Sequence, residues 1–298
     1  MNKTRIEWCD STWNPVTGCY HNCEYCYARK IANRFGGCDE FSTFRPYTKD
    51  WRRVDDNHLM MGEGSVKEPI LFEIDKPLFL PRKLDKRATK KHGRQIFDNM
   101  KAPYPFGFEP TLHRYRLNDY ADKKGRTIFV CSMADLFGSW VPDSWIEEVF
   151  AACDSAPQHR YLFLTKNPKR YTEYGVPRYN SQDNFNYWYG VSVSDESNVG
   201  GFNYLPAFAN IFVSIEPLHE DIAETHNIMF RQVDWFIVGA ETGNRKDKVV
   251  PKKEWVMNIL RECDRWGKPV FMKDSLVPIV GEQEMRRELP WEIGGNRT

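Results

Sequence analysis

Apolar residues in the second half of the chain are gathered into six short runs rather than spread evenly. Each run is apolar at nearly every position, which indicates a strand buried on both faces. Burial on both faces is typical of a parallel sheet that is covered by helices. The six runs are residues 128–133, 161–165, 189–193, 211–215, 235–239 and 269–272.

Segments with a helical period lie between these runs. Apolar side chains share one helical face from Pro142 to Cys153, and they do so again from Pro251 to Trp266. Strands that alternate with helices favour right-handed βαβ units. An extended stretch over residues 6–16 and a possible strand near Phe106 bring the strand count towards eight. We therefore predict an α/β fold, a complete or partial TIM-type (β/α) barrel.

The periodicity is lost between residues 38 and 106, after a first helix predicted over Tyr27–Phe35. We predict that 38–106 is a long irregular insertion or subdomain within a single domain of residues 1–298. It contains a short extended stretch at 70–74 and a basic run from Arg82 to Arg94. The basic run suits either a nucleic-acid contact or a solvated surface, and the solvated surface is favoured.

The near-zero net charge gives no overall electrostatic reason to expect that the chain binds nucleic acid. The 298 residues include 42 Lys and Arg against 41 Asp and Glu, so only a local basic patch could bind a polyanion. No apolar run reaches the roughly 18 residues of a membrane span. These features predict a soluble, cytoplasmic protein without a membrane partner.

Three cysteines lie close together near the start of the chain, within the segment Gly18–Tyr27. Cys19, Cys23 and Cys26 are separated by three and then by two residues. Three thiolates can hold an iron–sulfur cluster and leave one iron open to another ligand. No second CxxC or HxxxH pair follows at a zinc-finger spacing, so the cluster is favoured. The alternative is a structural zinc, held by Cys23 and Cys26 with donors from Cys9, Cys19, His21 and Cys38.

Polar side chains follow each of the six apolar runs directly. In a parallel barrel these positions meet on one rim, where active sites are found. Carboxylates and ammonium groups brought together at an apolar mouth need partners or a ligand. The residues concerned are Asp135, Lys166, Ser194, Asp195, Glu216, Glu241, Lys273 and Asp274.

The cysteine spacing, with aromatic Tyr25 just before Cys26, resembles the signature of the radical S-adenosylmethionine (SAM) enzymes. Longer pieces, among them IEWCDSTWNPVTGC, CEYCYARKIANRF, YGVSVSDESN, VSIEPL and DWFIVGAETG, resemble the phage Gp37/Gp68 family, DUF5131. This resemblance extends from the start of the chain to about Ser275. It implies a radical-SAM-like protein that binds a [4Fe–4S] cluster and SAM.

The resemblance also implies roles for individual residues. Cys19, Cys23 and Cys26 would ligate three irons, and Tyr25 would lie near the adenine of SAM. Glu109 lies in a GFEP segment that resembles the GGEP motif for the SAM amino group, with Phe108 in place of a glycine. The candidates for the ribose and methionyl contacts are Ser132, Asp135, Ser192 and Glu216.

These features together predict a radical SAM enzyme of unknown substrate, possibly acting on a nucleotide in DNA or RNA. Lys166, Glu241 and Lys273 are the predicted catalytic residues, and a reductant such as flavodoxin or ferredoxin is the predicted partner. Two alternatives stay open at this point. One is a zinc-stabilised nucleic-acid-binding module, and the other is a cluster-bearing scaffold without turnover.

Overall fold

A computed structural model describes residues 4–36, 51–54, 70–81, 99–176, 186–206, 209–223 and 227–293. Within these ranges the strands form one large sheet and two small ones. In chain order the strands are β1 (Ser11–Trp13), β2 (Val16–Thr17), β3 (Trp51–Val54), β4 (Leu71–Ile74), β5 (Phe79–Pro81), β6 (Asn99–Lys101), β7 (Thr111–His113), β8 (Thr127–Val130), β9 (Arg160–Thr165), β10 (Tyr187–Val193), β11 (Asn210–Ile215), β12 (Trp235–Val238) and β13 (Val270–Met272).

The large sheet contains seven strands in the order β1-β8-β9-β10-β11-β12-β13, and all neighbours are parallel. Each of the six apolar runs contributes one strand, so this part of the prediction is confirmed. Almost every residue of these strands is buried, as expected for a sheet covered on both faces.

Helices cover the convex face of this sheet. The predicted helices over 142–153 and 251–266 are confirmed, and their apolar faces join the main core through Trp145, Phe150, Ile259 and Cys263. The helices are α1 (Tyr27–Phe35), α2 (Asp143–Asp154), α3 (Lys169–Tyr174), α4 (Glu196–Val199), α5 (Asn227–Gln232), α6 (Lys253–Arg265), α7 (Val277–Val280) and α8 (Pro290–Ile293). No helix within the described ranges has the length and apolar composition to cross a bilayer.

The concave face holds a second, mainly aromatic cluster. Trp8, which precedes β1, packs its ring against Phe129 of β8 at a centroid distance of 4.8 Å and against Phe212 of β11 at 6.2 Å. Trp235 of β12 and Trp291 of α8 continue the cluster at 5.1 Å from each other. One end of the concave face is therefore filled by side chains.

The sheet does not close on itself, because other parts of the chain occupy its outer edge at β13. The backbone N–H of Met272 donates to the carbonyl of Arg286 at 2.8 Å, and the N–H of Glu288 donates to the carbonyl of Val270 at 3.0 Å. Residues 286–288 thus run antiparallel along β13. The free hydrogen-bonding groups of an edge strand are satisfied there without β1.

The opposite edge, at β1, is covered by the segment that leads into β8. The indole N–H of Trp13 donates to the carbonyl of Arg116 at 2.8 Å, and the hydroxyl of Tyr120 donates to the carbonyl of Thr12 at 3.0 Å. The predicted TIM-type barrel, complete or partial, is therefore wrong. The fold is a curled, open, seven-stranded parallel sheet with helices.

The described part of the predicted insertion is not entirely irregular. The extended stretch expected at 70–74 is strand β4, which joins β2, β7 and β3 in a four-stranded mixed sheet. The strand expected near Phe106 is β7, and it belongs to this small sheet rather than to the large one. The basic run Arg82–Arg94 lies outside the described residues. The single-domain boundary of 1–298 stays a prediction.

The aromatic cluster provides a test of this architecture. Trp235 is fully buried and its indole N–H donates to the carbonyl of Glu288 at 2.9 Å, so it joins β12 to the segment that covers β13. Trp235→Ala should lower the free energy of unfolding by about 3–5 kcal/mol. Trp266→Ala, at a position that is 37% exposed, is the control and should change it by less than about 1 kcal/mol. Similar losses in urea titrations of the two variants would contradict the packing described.

Candidate functional site

The segment with the three cysteines lies across the carboxyl-terminal edge of the large sheet. The N–H of Gly18 donates to the carbonyl of Met133, just beyond β8, at 2.9 Å, and the N–H of Cys19 donates to the carbonyl of Phe108 at 3.2 Å. Gly18 has a φ of +88°, and a Cβ there would collide with the backbone of Glu109. Only glycine allows the chain to enter the loop this closely. We call residues 19–27 the cysteine loop.

The cysteine loop turns at Asn22 and then leads into α1. Asn22 has a φ of +54°, a left-handed conformation that asparagine tolerates better than most residues. Cys26 is the N-cap of α1, and its sulfur accepts a hydrogen bond from the N–H of Arg29 at 3.3 Å. The local sequence thus fixes both the bend between the first two cysteines and the position of the third.

Asp135 connects the loop to two neighbouring strands. Its Oδ2 lies 2.7 Å from Nε2 of His21 and accepts the backbone N–H of Lys166 at 2.8 Å, while its Oδ1 accepts the N–H of Phe137 at 3.0 Å. A carboxylate only accepts hydrogen bonds, so Nε2 of His21 carries the proton. Asp135 is 5% exposed. Its two oxygens are therefore already used to hold the loop against the ends of β8 and β9.

Lys166 makes the second connection, from the end of β9. Its ammonium donates to the hydroxyl of Tyr25 at 3.0 Å and to the hydroxyl of Ser192 at 2.9 Å. Burial alone would lower the pKa of Lys166, but Tyr25, Cys23 and Asp135 outweigh it and the pKa is raised. Lys166 is thus a fixed positive charge beside the loop at neutral pH.

Arg245 makes the third connection. Its guanidinium binds both oxygens of Glu241 at 2.8 Å and one oxygen of Glu24 in the loop at 3.1 Å. These hydrogen bonds lower the pKa of Glu241, which is 8% exposed. Glu241 therefore anchors the arginine that holds Glu24.

Two tyrosines complete the attachment of the loop. The hydroxyl of Tyr20 donates to the carboxylate of Glu109, and the hydroxyl of Tyr27 donates to the carbonyl of Ser132 at 2.7 Å. The hydroxyl of Ser132 itself donates to Asn14 at 3.2 Å. Five side chains of the loop thus bind the surrounding strand ends, and none of the three cysteines is used in these contacts.

Glu216 and Lys273 form a separate ion pair at the ends of β11 and β13. The strand between them, β12, ends at Val238, and a Cβ on the next residue, Gly239, would lie 3.0 Å from Cδ of Lys273 and 3.3 Å from Cγ of Glu216. The ring of Tyr27 is half exposed, but its hydroxyl is buried against the carbonyl of Ser132; this burial, and then the charges of Glu216 and Cys26, raise the pKa of the hydroxyl. The pair is therefore near the cysteine loop, although it makes none of the five attachments.

Cys19 and Cys23 occupy a partly buried environment that disfavours their ionised form. Burial raises the pKa of Cys19 to about 12, with further contributions from Asp135, Cys23 and Cys26, and burial also raises the pKa of Cys23. The ammonium of Lys166 acts in the opposite direction on Cys23, without outweighing burial. Soft thiolates on one loop suit an iron–sulfur cluster chemically.

The geometry does not show a preassembled site for a single ion. Among the described residues, no group of three or more His, Cys, Asp or Glu side chains is arranged to hold one metal ion. Of the donors considered for zinc, His21 is bound to Asp135, and Cys38 lies outside the described residues. Neither the three cysteines nor the donors considered for zinc therefore form a completed ligand set among the described residues, and only the donor chemistry of the loop favours a thiolate-bound group.

A family model described as "Protein of unknown function (DUF5131)" matches residues 3–277 of the chain. The chain belongs to the DUF5131 family. No curated protein and no solved structure is detectably similar to it. The matched region includes the cysteine loop and all seven strands of the large sheet, so the attachments described above lie within the part that defines this DUF5131 protein.

For most of these attachments, the sequence predicted a site residue outside the loop but not the loop residue that it contacts. His21 and Glu24 were not assigned to contacts with the strand ends, and Arg245 was not considered. Arg245 lies four residues after Glu241, but this segment is not helical, so helical i,i+4 pairing gave no signal for it. The predicted site residues do lie at one edge of the sheet, as expected.

The Glu241–Arg245 pair makes stability depend on pH. Because the folded state has the lower pKa, the pair stabilises the fold above the usual value of about 4.5 and this contribution is lost as the pH falls through the lowered pKa. Glu241→Gln should therefore lower the free energy of unfolding at about pH 7, and the loss should shrink as the pH falls below about 4.5 and through the lowered pKa. Asp122→Asn, an exposed acid at the opposite edge, should show no such difference. A pH-independent loss for Glu241→Gln would contradict the lowered pKa.

Proposed function

We propose that this DUF5131 chain is a radical SAM enzyme, in line with the likeness of its cysteine spacing to that class and of its longer motifs to phage Gp37/Gp68 proteins. The observation that carries the proposal is the attachment of the cysteine loop. Five of its side chains bind strand ends, while Cys19, Cys23 and Cys26 take no part in those contacts. Such an arrangement holds three soft ligands at the edge where parallel sheets bind their substrates.

Cys19, Cys23 and Cys26 would hold three irons of a [4Fe–4S] cluster and leave the fourth open to SAM. When bound, this pair of cofactors supplies a 5′-deoxyadenosyl radical by one-electron cleavage of SAM, and the radical removes hydrogen from a substrate. The electron would come from a reductant such as flavodoxin or ferredoxin. The chain itself contributes binding, orientation and exclusion of water.

The contacts favour different roles for the residues that were first considered catalytic or cofactor-binding. We assign Tyr25, Glu109, Asp135 and Glu241 to positioning, because their polar groups already bind the loop or the arginine that holds it. Lys166 also positions Tyr25. Its amine carries a proton, so it cannot serve as the base that abstracts one. These residues would act on the reaction through the loop.

Glu216 and Lys273 are the best candidates for direct contact with SAM. The methionyl part of SAM has an ammonium and a carboxylate, which match a carboxylate and an ammonium that now pair with each other. Ser192 and Ser132 lie near the same edge and have hydroxyls that can serve the ribose. The aromatic cluster around Trp8 fills part of the concave face of the same sheet.

Anaerobic reconstitution with iron and sulfide tests the proposal. The wild-type chain should take up about four irons and convert SAM to 5′-deoxyadenosine when dithionite is added. The triple variant Cys19→Ala, Cys23→Ala, Cys26→Ala should do neither. Cys9→Ala, a partly buried cysteine outside the loop, is the matched control and should keep its iron.

The outcomes separate the alternatives. Iron and sulfide retained by the triple variant would end the cluster assignment. A stable cluster in the wild-type chain without any 5′-deoxyadenosine would instead indicate a scaffold without turnover. One tightly bound zinc per chain after aerobic purification, lost in the triple variant, would favour the zinc module.

A further inference from the structure

A basic surface lies immediately beside the cysteine loop. Helix α1 begins at the loop, and its nine residues include Arg29, Lys30 and Arg34 but no acid. A second exposed segment, residues 246–252, adds three lysines against the single Asp247. We call the exposed cations of these two segments the basic rim, namely Lys30, Arg34, Lys246, Lys248 and Lys252.

Two observations place both segments on the same side of the loop. Arg245, which directly precedes the second segment, binds Glu24 of the loop at 3.1 Å. Lys30 of α1 contributes to the lowered pKa of Glu241, the residue that anchors Arg245. The two parts of the basic rim are therefore neighbours in space, although they are more than 200 residues apart in the chain.

The charge of the basic rim is not neutralised within the described structure. None of its five cations forms an ion pair with another described residue, and the neighbouring carboxylates Glu24 and Glu241 are both bound by Arg245. Acidic residues gather instead beyond β10 and β11, at 195–196 and 220–221. An anionic ligand is therefore drawn to the α1 side of the site.

Exposed aromatic rings accompany these cations on α1. Tyr27 is 49% exposed and Phe35 is 45% exposed, at the first and last positions of the helix. The guanidinium of Arg34 lies 5.3 Å from the centroid of the Phe35 ring. Cations that follow a backbone, combined with rings on which bases can stack, are the features by which proteins bind single-stranded nucleic acid.

We propose that the basic rim binds the phosphates of a single-stranded nucleic acid and leads one of its nucleotides to the cysteine loop. The inference rests on the proposed function and names its substrate class. A single strand is favoured over a duplex because its bases are accessible without unpairing, and chemistry on a base requires that access. The rim begins where the loop ends, so a bound strand has only a short path to the proposed cofactors.

Fluorescence anisotropy with a labelled 20-nucleotide single strand, as DNA and as RNA, tests this proposal without turnover. Lys30→Glu with Arg34→Glu should weaken binding at least about tenfold and reduce the slope of log K against log salt by about 1.4, or about 0.7 for each lost phosphate contact. Lys246→Glu with Lys248→Glu should act in the same direction. Phe35→Ala should weaken binding about fivefold or more and leave the salt slope unchanged.

The matched control is Lys123→Glu with Lys124→Glu, two exposed lysines just before β8 at the opposite edge of the sheet. This variant should bind like the wild-type chain. Equal weakening by control and rim variants would overturn the proposal, and so would the absence of binding at low salt. Polyglutamate provides a further competitor. If it displaces the labelled strand as effectively as unlabelled strand does, the proposal is overturned, because the surface would then be a general anion binder.

The test is independent of the cluster. The triple cysteine variant should still bind the labelled strand, because the rim cations and Phe35 remain in place. If the wild-type chain binds nucleic acid but forms no cluster, the proposed enzyme fails while the rim assignment stands. If the cluster and 5′-deoxyadenosine form but no strand binds, only the substrate class is wrong.

Discussion

The attachment of the cysteine loop to the ends of the parallel strands is the constraint on which the rest of the site depends. Polar contacts from five of the nine loop side chains hold it in place. Asp135 is central because it joins His21 of the loop to the backbone of Lys166 while it is itself almost fully buried. A hydrogen-bonded carboxylate in that position is costly to leave unpaired, which makes the attachment specific.

The charges at the sheet edge acquire their roles from this attachment. Unpaired carboxylates and ammonium groups would be energetically unfavourable beside the apolar interior of the sheet. Here Asp135 and Lys166 bind the loop directly, Glu241 binds it through Arg245, and Glu216 pairs with Lys273. The same arrangement separates cations along α1 from acids beyond β10 and β11, so the surface around the loop is polarised.

The secondary structure of the large sheet was predictable, because each strand is specified by its own run of apolar residues. Closure was not predictable, since it depends on which segment pairs with each edge. Residues 286–288 have no strong strand pattern, yet their backbone covers β13, and Trp13 and Thr12 at the other edge are covered by a non-strand segment. Local patterns specify strands, and contacts between distant segments decide whether a sheet closes.

The candidate site was predictable in the same partial way. The polar residues that follow each strand could be found because parallel strands end at one edge, and the cysteines could be found from their spacing. Their partners could not, because His21, Glu24 and Arg245 look like ordinary loop residues in the sequence. The contacts change the interpretation of Asp135, predicted to contact the cofactor, and of Glu241, predicted to be catalytic, to supports of the loop.

The most direct measurement is a crystal structure of the anaerobically reconstituted chain, with anomalous diffraction recorded at the iron edge. The account predicts iron bound by Cys19, Cys23 and Cys26, with His21 still on Asp135, Tyr25 still on Lys166 and Glu24 still on Arg245. A single metal ion ligated by His21 together with the cysteines, with Asp135 released from the loop, would contradict it.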